Sequence, residues 1–273
     1  MSARGARKGA MRHALAATAA ALFLLPLVLL VAGSLRPVGP AGPVPQLVPD
    51  GATLDNYRLA LEAVDLARQG LNSIVVAAMV VPLSVAVAAA AGFAIARLPT
   101  TPRRLLVAAT LAAAMLPLTI LLVGRFTLFA RLGVTDSYLP LVAGGLLGGS
   151  PFHVLIYYVA FRRMPPELFD AARLEGASAL RLLVQVGLPG ARTASLAVAV
   201  LAFAGSWGNV LEPLVYLSDP ALHTLPLGLR ALAAFDFPRQ PIMLAGAVMS
   251  VVIPVVVLLV AQRSLRHEPP ESL

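Results

Sequence analysis

Hydrophobic residues in this chain come in long unbroken runs, separated by short polar or Pro/Gly-rich interruptions. Six runs stand out, at about 14–32, 71–95, 105–124, 139–161, 194–217 and 242–261. Each is close to the roughly 20 residues that a helix rising 1.5 Å per residue needs to cross a hydrocarbon core of about 30 Å. The pattern predicts an all-α polytopic membrane protein, one transmembrane domain over 1–273 with six helices. A basic start (Arg4, Arg7, Lys8, Arg12) ahead of the first run also describes a secretory signal peptide. The run is long for that and further spans follow, so an uncleaved first helix is expected.

The interruptions carry their own signals. After the Pro/Gly-rich stretch RPVGPAGPVPQLVPDG, the segment TLDNYRLALEAVDLARQG turns helical. Thr53 can cap it, and Leu54, Tyr57, Leu61 and Val64 form an apolar face at helical spacing, as for a helix lying on the membrane surface. The second run is dense in alanine, which allows close helix packing in lipid. Pro117 should kink the third run, since its ring removes a backbone donor. Gly144, Gly145, Gly148 and Gly149 favour a tight crossing or a local break in the fourth, and Pro254 lies inside the sixth. Ser150 and His153 raise the idea of an intramembrane protease. They lie three apart on one helix with no further catalytic partner, so a histidine hydrogen-bonded within the bundle fits better.

Composition narrows the class. Only 12% of residues are charged and 59% are hydrophobic, against roughly 25% charged in soluble domains. Cysteine is absent, which excludes a disulfide framework, a thiolate nucleophile and a Cys-based metal site. The net charge of +8 is distributed by topology rather than as a nucleic-acid patch. Segments 1–13, 97–104, 162–193 and 262–273 hold fourteen basic residues; the alternate segments hold seven, balanced by seven acids. The positive-inside rule then places both termini and the 162–193 loop in the cytoplasm. The only lysine, Lys8, has no P-loop around it, so the chain is expected to bind no ATP itself.

One interruption is long, charged and helix-prone: 165–189, PPELFDAARLEGASALRLLVQVGLP. Pro165 and Pro166 end the fourth run and preset a new first turn. Glu167 and Asp170 sit near its positive end. Ala171 and Ala172 leave a surface with little side chain, on which another protein's groove could close. Gly176 breaks the helix, Ala177 to Val186 forms a second, and Gly187 and Pro189 terminate it. The result is a helix-turn-helix knob between two spans.

Asp170-Ala171-Ala172, three residues, Gly176, nine residues, then Val186-Gly187-Leu188-Pro189 resembles the EAA loop of ABC importer permeases. Further resemblances extend over residues 14 to 266. They are Asn72-Ser73, Met115-Leu116-Pro117, Pro151-Phe152, FAGSWGNVLEPL from Phe203 to Leu214, Thr224-Leu225-Pro226-Leu227-Gly228-Leu229, and Gln262-Arg263. The chain is similar to the carbohydrate-uptake class, in particular to the G-type inner-membrane subunit of maltose importers. It departs in having Asp170 for the usual glutamate and Gly208 for an asparagine.

The resemblance implies a binding-protein-dependent importer in the cytoplasmic membrane, carrying a sugar or related polyol. A second permease subunit would complete the path through the lipid. Two cytoplasmic ATPase subunits, which bind the ATP, would dock on the loop, and an extracytoplasmic solute-binding protein would deliver the solute. Asp170, Ala171, Ala172, Arg173, Gly176, Ala177, Leu188 and Pro189 are the coupling residues on this reading. No cofactor, no metal and no enzymatic activity of the chain itself are expected. Ser206, Trp207 and Asn209 on the fifth run are candidates for the solute path. Trp207 suits either stacking on a sugar ring or packing among helices. Glu212 lies about 27 Å along that helix from Ala194 at 1.5 Å per residue, which predicts a solvated position near the outer surface. The alternatives are a permease for a non-sugar solute, such as glycerol phosphate or peptide, and a self-contained secondary transporter. The latter would carry internal repeats and mid-membrane carboxylates, and neither is evident.

Overall fold

A computed structural model of the chain describes residues 3–39, 49, 51–144, 150–233 and 239–266. Gly145, Gly148 and Gly149, most of the Pro/Gly-rich stretch before Thr53, and the tail 267–273 lie outside the described residues. All regular structure among the described residues is helical. Three helices are long and apolar enough to cross a membrane: Met11–Ser34, Leu66–Arg97 and Gln240–Arg263. Two further helix pairs are sharply bent, Thr100–Ala114 with Thr119–Arg131 at 91° and Ala179–Gly190 with Arg192–Trp207 at 86°. Counting each pair as one span gives up to five.

The chain forms two compact units, 1–67 with 228–252 and 68–227 with 253–273. In the first, α1 (Ala3–Ser34) ends against α2 (Asp55–Val64). The last carbonyls of a helix lack internal partners. Here Asn56 Nδ2 donates to Ser34 O at 2.7 Å and Arg36 O at 2.6 Å, and Ser34 Oγ and Tyr57 OH lie 2.7 Å apart. The face that α2 packs inward is thus not the apolar one expected to lie on the membrane surface. Asn56 and Ala60 are buried, whereas Leu54 and Leu61 are exposed. Thr53 Oγ1 accepts from Asp55 N at 3.1 Å, in keeping with a start there. The expected continuous helix stops at Asp65, whose φ of 48° is left-handed, and α3 (Leu66–Arg97) begins immediately after.

In the second unit, Asn72 and Ser73 on α3 hold the start of α13 (Leu225–Leu232). Asn72 Nδ2 donates to Ala221 O and His223 O, each at 2.9 Å, and Ser73 Oγ accepts from Leu225 N at 2.8 Å. Two motifs more than 140 residues apart thus meet in one cap. Further along α3, Gly92 faces α7 (Pro151–Arg163). A Cβ at Gly92 would lie 2.7 Å from Tyr157 Cβ and 2.9 Å from Tyr158 N and Val154 O, so the two backbones touch. Tyr157 is fully enclosed and its OH donates to Ser195 Oγ at 2.8 Å on α11 (Arg192–Trp207).

Pro117 does more than kink the third run. α4 (Thr100–Ala114) stops before it and α5 (Leu118–Arg131) starts after it, followed by the short α6 (Leu139–Ala143). The proline cannot donate to Ala113 O, and it pushes Leu116 out of helical geometry. The fifth run is likewise not one helix. α11 ends at Trp207 and α12 spans Leu211–Tyr216. Pro213 is tolerated because the interruption at 208–210 puts it in the first turn of a new helix. α5 and α12 then pack through rings: Phe129 meets Tyr216 edge-on at 5.6 Å and Phe126 lies parallel to it at 6.3 Å.

Candidate functional site

The knob is built from aromatic packing upward. α8 (Pro166–Leu174) is anchored by Phe169, which is fully buried against Phe93 at 5.9 Å between ring centroids. The Arg97 guanidinium lies 3.3 Å over the Phe169 ring and 5.4 Å from that of Phe93. A cation over a ring face is held by the ring quadrupole. Phe93 also meets Phe161 edge-on at 5.4 Å. Neither Phe169 nor Arg97 was a candidate from sequence. The available signal for Phe169 was an aromatic residue one position before the Asp-Ala-Ala motif, on a short helix with three charged residues.

The first helix ends in a hydrogen-bonded turn that glycine suits. Gly176 N donates to Arg173 O at 2.9 Å and Ala177 N to Ala172 O at 3.0 Å, with Gly176 at φ 79°. Open space surrounds Gly176, so only its backbone conformation selects glycine. Ser178 Oγ then accepts from Arg181 N at 3.3 Å and starts α9 (Ala179–Arg181). Gly187 and Pro189 do not terminate this helix, contrary to expectation. It widens into a π-helical turn, Leu182–Gly187, and runs on as α10 (Leu188–Gly190). Pro189 has no N–H to give, and the wide turn seats it without a helix stop. The sharp bend follows at Ala191 instead.

Of the coupling candidates, Asp170, Ala171, Arg173, Gly176 and Pro189 are exposed. Ala172, Ala177 and Leu188 are half-buried and pack toward the aromatic core. Ala172 therefore belongs to the seat of the knob and Ala171 to its outer face. Asp170 Oδ1 accepts from Arg173 Nη1 at 3.1 Å, an exposed pair on one turn.

A cavity of about 510 Å³ lies elsewhere in the same unit. Ser206 and Asn209 line it, with Ser150, His153, Arg125 and Glu212. Trp207 does not; it is buried and stacked on Phe203 at 5.5 Å. Glu212 corrects the expectation of a solvated surface carboxylate, because the fifth run breaks before reaching it. It is 7% exposed, and Arg125 Nη1 donates to its Oε1 at 3.4 Å. Asn209 Nδ2 donates to Oε2 at 2.7 Å, while Asn209 Oδ1 accepts from Glu212 N at 3.2 Å. The ion pair joins α5 to α12, the two halves that follow breaks. His153 also differs from expectation: its enclosed Nδ1 has no hydrogen-bond partner among the described residues. Among the described residues no group of three or more His, Cys, Asp or Glu could hold a metal ion.

The fold matches that of known transport proteins. The sequence pattern of the family described as binding-protein-dependent transport system inner membrane component fits residues 66–267. The sulfoquinovosyl glycerol transport system permease protein SmoH of Agrobacterium fabrum is 30% identical over 213 residues, covering 78% of this chain and 74% of that protein. The trehalose transport system permease protein SugB of Mycobacterium tuberculosis is 26% identical over 264 residues, covering 96% of each. A chain in the crystal structure of a bacterial ABC transporter involved in importing the acidic polysaccharide alginate shares the fold, with a TM-score of 0.77 at 20% identity over 96% of this chain and 98% of that one. With the family pattern covering everything from α3 to the last helix, the chain belongs to the binding-protein-dependent transport system inner membrane components, which are permeases of ABC importers and not enzymes.

Proposed function

We propose that the chain is one of two permease subunits of a sugar importer in the cytoplasmic membrane. On this reading it crosses the membrane six times with both termini inside. The 165–189 knob is its cytoplasmic coupling element, seated in a cleft of one of two ATPase subunits that bind and hydrolyse the ATP. An extracytoplasmic binding protein brings the solute. Closure of the ATPase pair moves α8 as a rigid piece and switches the spans between inward- and outward-facing states, the two-state element that coupling at a distance requires. The sugar assignment draws on relatives whose names specify saccharides or their glycosides. The observation that carries the coupling role is α8 itself. Phe169 and Arg97 fix its inner side to α3, while Asp170, Ala171 and Arg173 remain exposed for a partner.

The test is a tagged chain purified with its partners. A second permease and an ATPase should come with it, and the complex should take up a saccharide with ATP. Asp170→Arg reverses the offered charge. Gly176→Trp forces a left-handed conformation costing about 1–2 kcal/mol and adds bulk at the knob. Both variants should insert normally, lose most ATPase retention and lose most uptake. Normal retention and uptake at equal abundance would defeat the coupling role.

A further inference from the structure

Family membership leaves the charge of the solute open: one relative is named for a sulfonated sugar glycoside and another for trehalose. The cavity is more specific. Its only formally charged lining residues among those described are Arg125 and Glu212, and they face each other at 3.4 Å. Their side chains are 11% and 9% exposed, so the pair is withdrawn from bulk water. An anionic solute would have to draw Arg125 away from Glu212 and leave a buried carboxylate uncompensated, which is strongly unfavourable. A neutral solute meets no such barrier.

The remaining polar groups suit hydroxyls. Ser206, Asn209 and Ser150 line the space, and two further lining residues hold polar atoms with no hydrogen-bond partner among the described residues, His153 Nδ1 and Thr224 Oγ1. His153 and Thr224 are 9% and 4% exposed. Buried polar groups are rarely left without a hydrogen bond, so orphans bordering a mostly apolar cavity with a few polar groups point to a ligand's or a water's groups as the missing partners. The carboxylate of Glu212 can still accept through its unused lone pairs, as sugar hydroxyls require. The volume of about 510 Å³ falls inside the roughly 300–1,000 Å³ range of small-ligand sites.

We infer that this cavity is a direct binding site for a neutral, polyhydroxylated ring of the transported solute, read by hydrogen bonds around the Arg125–Glu212 pair. This rests on the importer reading and adds that this subunit itself touches the solute and selects against anions. The wild-type complex, purified with its partners into liposomes, is first offered labelled neutral saccharides (trehalose, maltose, diacetylchitobiose) and anionic ones (sulfoquinovosyl glycerol, glycerol 3-phosphate). Uptake confined to neutral probes is expected. Uptake of an anionic probe in preference would overturn the inference and leave the importer reading standing; uptake of no saccharide would overturn both.

The chain has no cysteine, so a single one can be labelled on its own band. Ser206→Cys and Ser84→Cys, two near-isosteric changes at lining positions, are labelled with a small membrane-permeant thiol reagent. With the transported saccharide at about ten times its half-saturating concentration, labelling at both should slow about tenfold by occupancy. The exposed control Ser218→Cys should be unaffected. Unchanged labelling at both cavity positions, or equal slowing at Ser218→Cys, would overturn direct contact while the importer reading survives.

Discussion

Phe169 is the residue on which the placement of α8 depends. Its neighbours Leu168 and Leu174 are 50% and 91% exposed, so α8 has little else to hold it down. Removing the ring leaves a cavity beside Phe93 and Arg97. Phe169→Ala should cost about 3–5 kcal/mol, as for other buried aromatics, while Leu174→Ala should stay within about 0.5 kcal/mol. Thermal unfolding of the two purified variants in detergent reads the difference, and equal midpoints would contradict the anchor. The same scale shows why some residues were legible and others not. Ser206 and Asn209 declared themselves as polar groups inside an apolar run. Arg125 and Glu212 did not, because their meeting joins positions 87 apart across two helix breaks. A straight fifth helix would have carried Glu212 to the surface, and only the interruption at 208–210 turns it inward.

At the scale of elements, punctuation residues were visible in the sequence but their severity was not. Pro117 was legible as a kink, and Gly176 as a helix end with its turn. Pro189 was misleading, because the preceding π-helical turn absorbs the missing donor that would otherwise stop a helix. What the break at Pro117 loosens is tied again beyond α5. Asp136 accepts from the backbone N–H of Ser218 and Asp219, and its own N–H donates to Tyr216 O at 2.9 Å. These backbone donors hold the Asp136 carboxyl below its ordinary range. A carboxylate depressed by folding contributes stability above its unfolded value and loses it as pH falls toward the folded one. The melting difference between wild type and Asp136→Asn should therefore be constant near neutrality. It should begin to shrink below about pH 3.9, the ordinary aspartate value. A difference that grew in acid would contradict the sign.

At the scale of the whole molecule, the runs of apolar residues made the all-helical membrane class plain, whereas path and sidedness depend on counting spans. Three described helices are long enough to cross by themselves, and two more spans require accepting bent pairs. The proposed six-span arrangement makes a direct prediction. Thr101→Cys, in the short basic segment after α3, should react with impermeant thiol reagent only from the cytoplasmic side, and Leu54→Cys, 72% exposed, only from outside. The reverse pattern at both would overturn the orientation. The contact at Gly92 bears on how such a molecule can move. Tyr157, which it meets, is the middle residue of α7; one end of that helix borders the cavity and the other leads into α8. With backbone against backbone there is no soft layer to compress, and close-packed interiors transmit displacement. Gly92 is in effect a fulcrum under a stiff bar: a push at either end arrives at the other as tilt, with almost no slack.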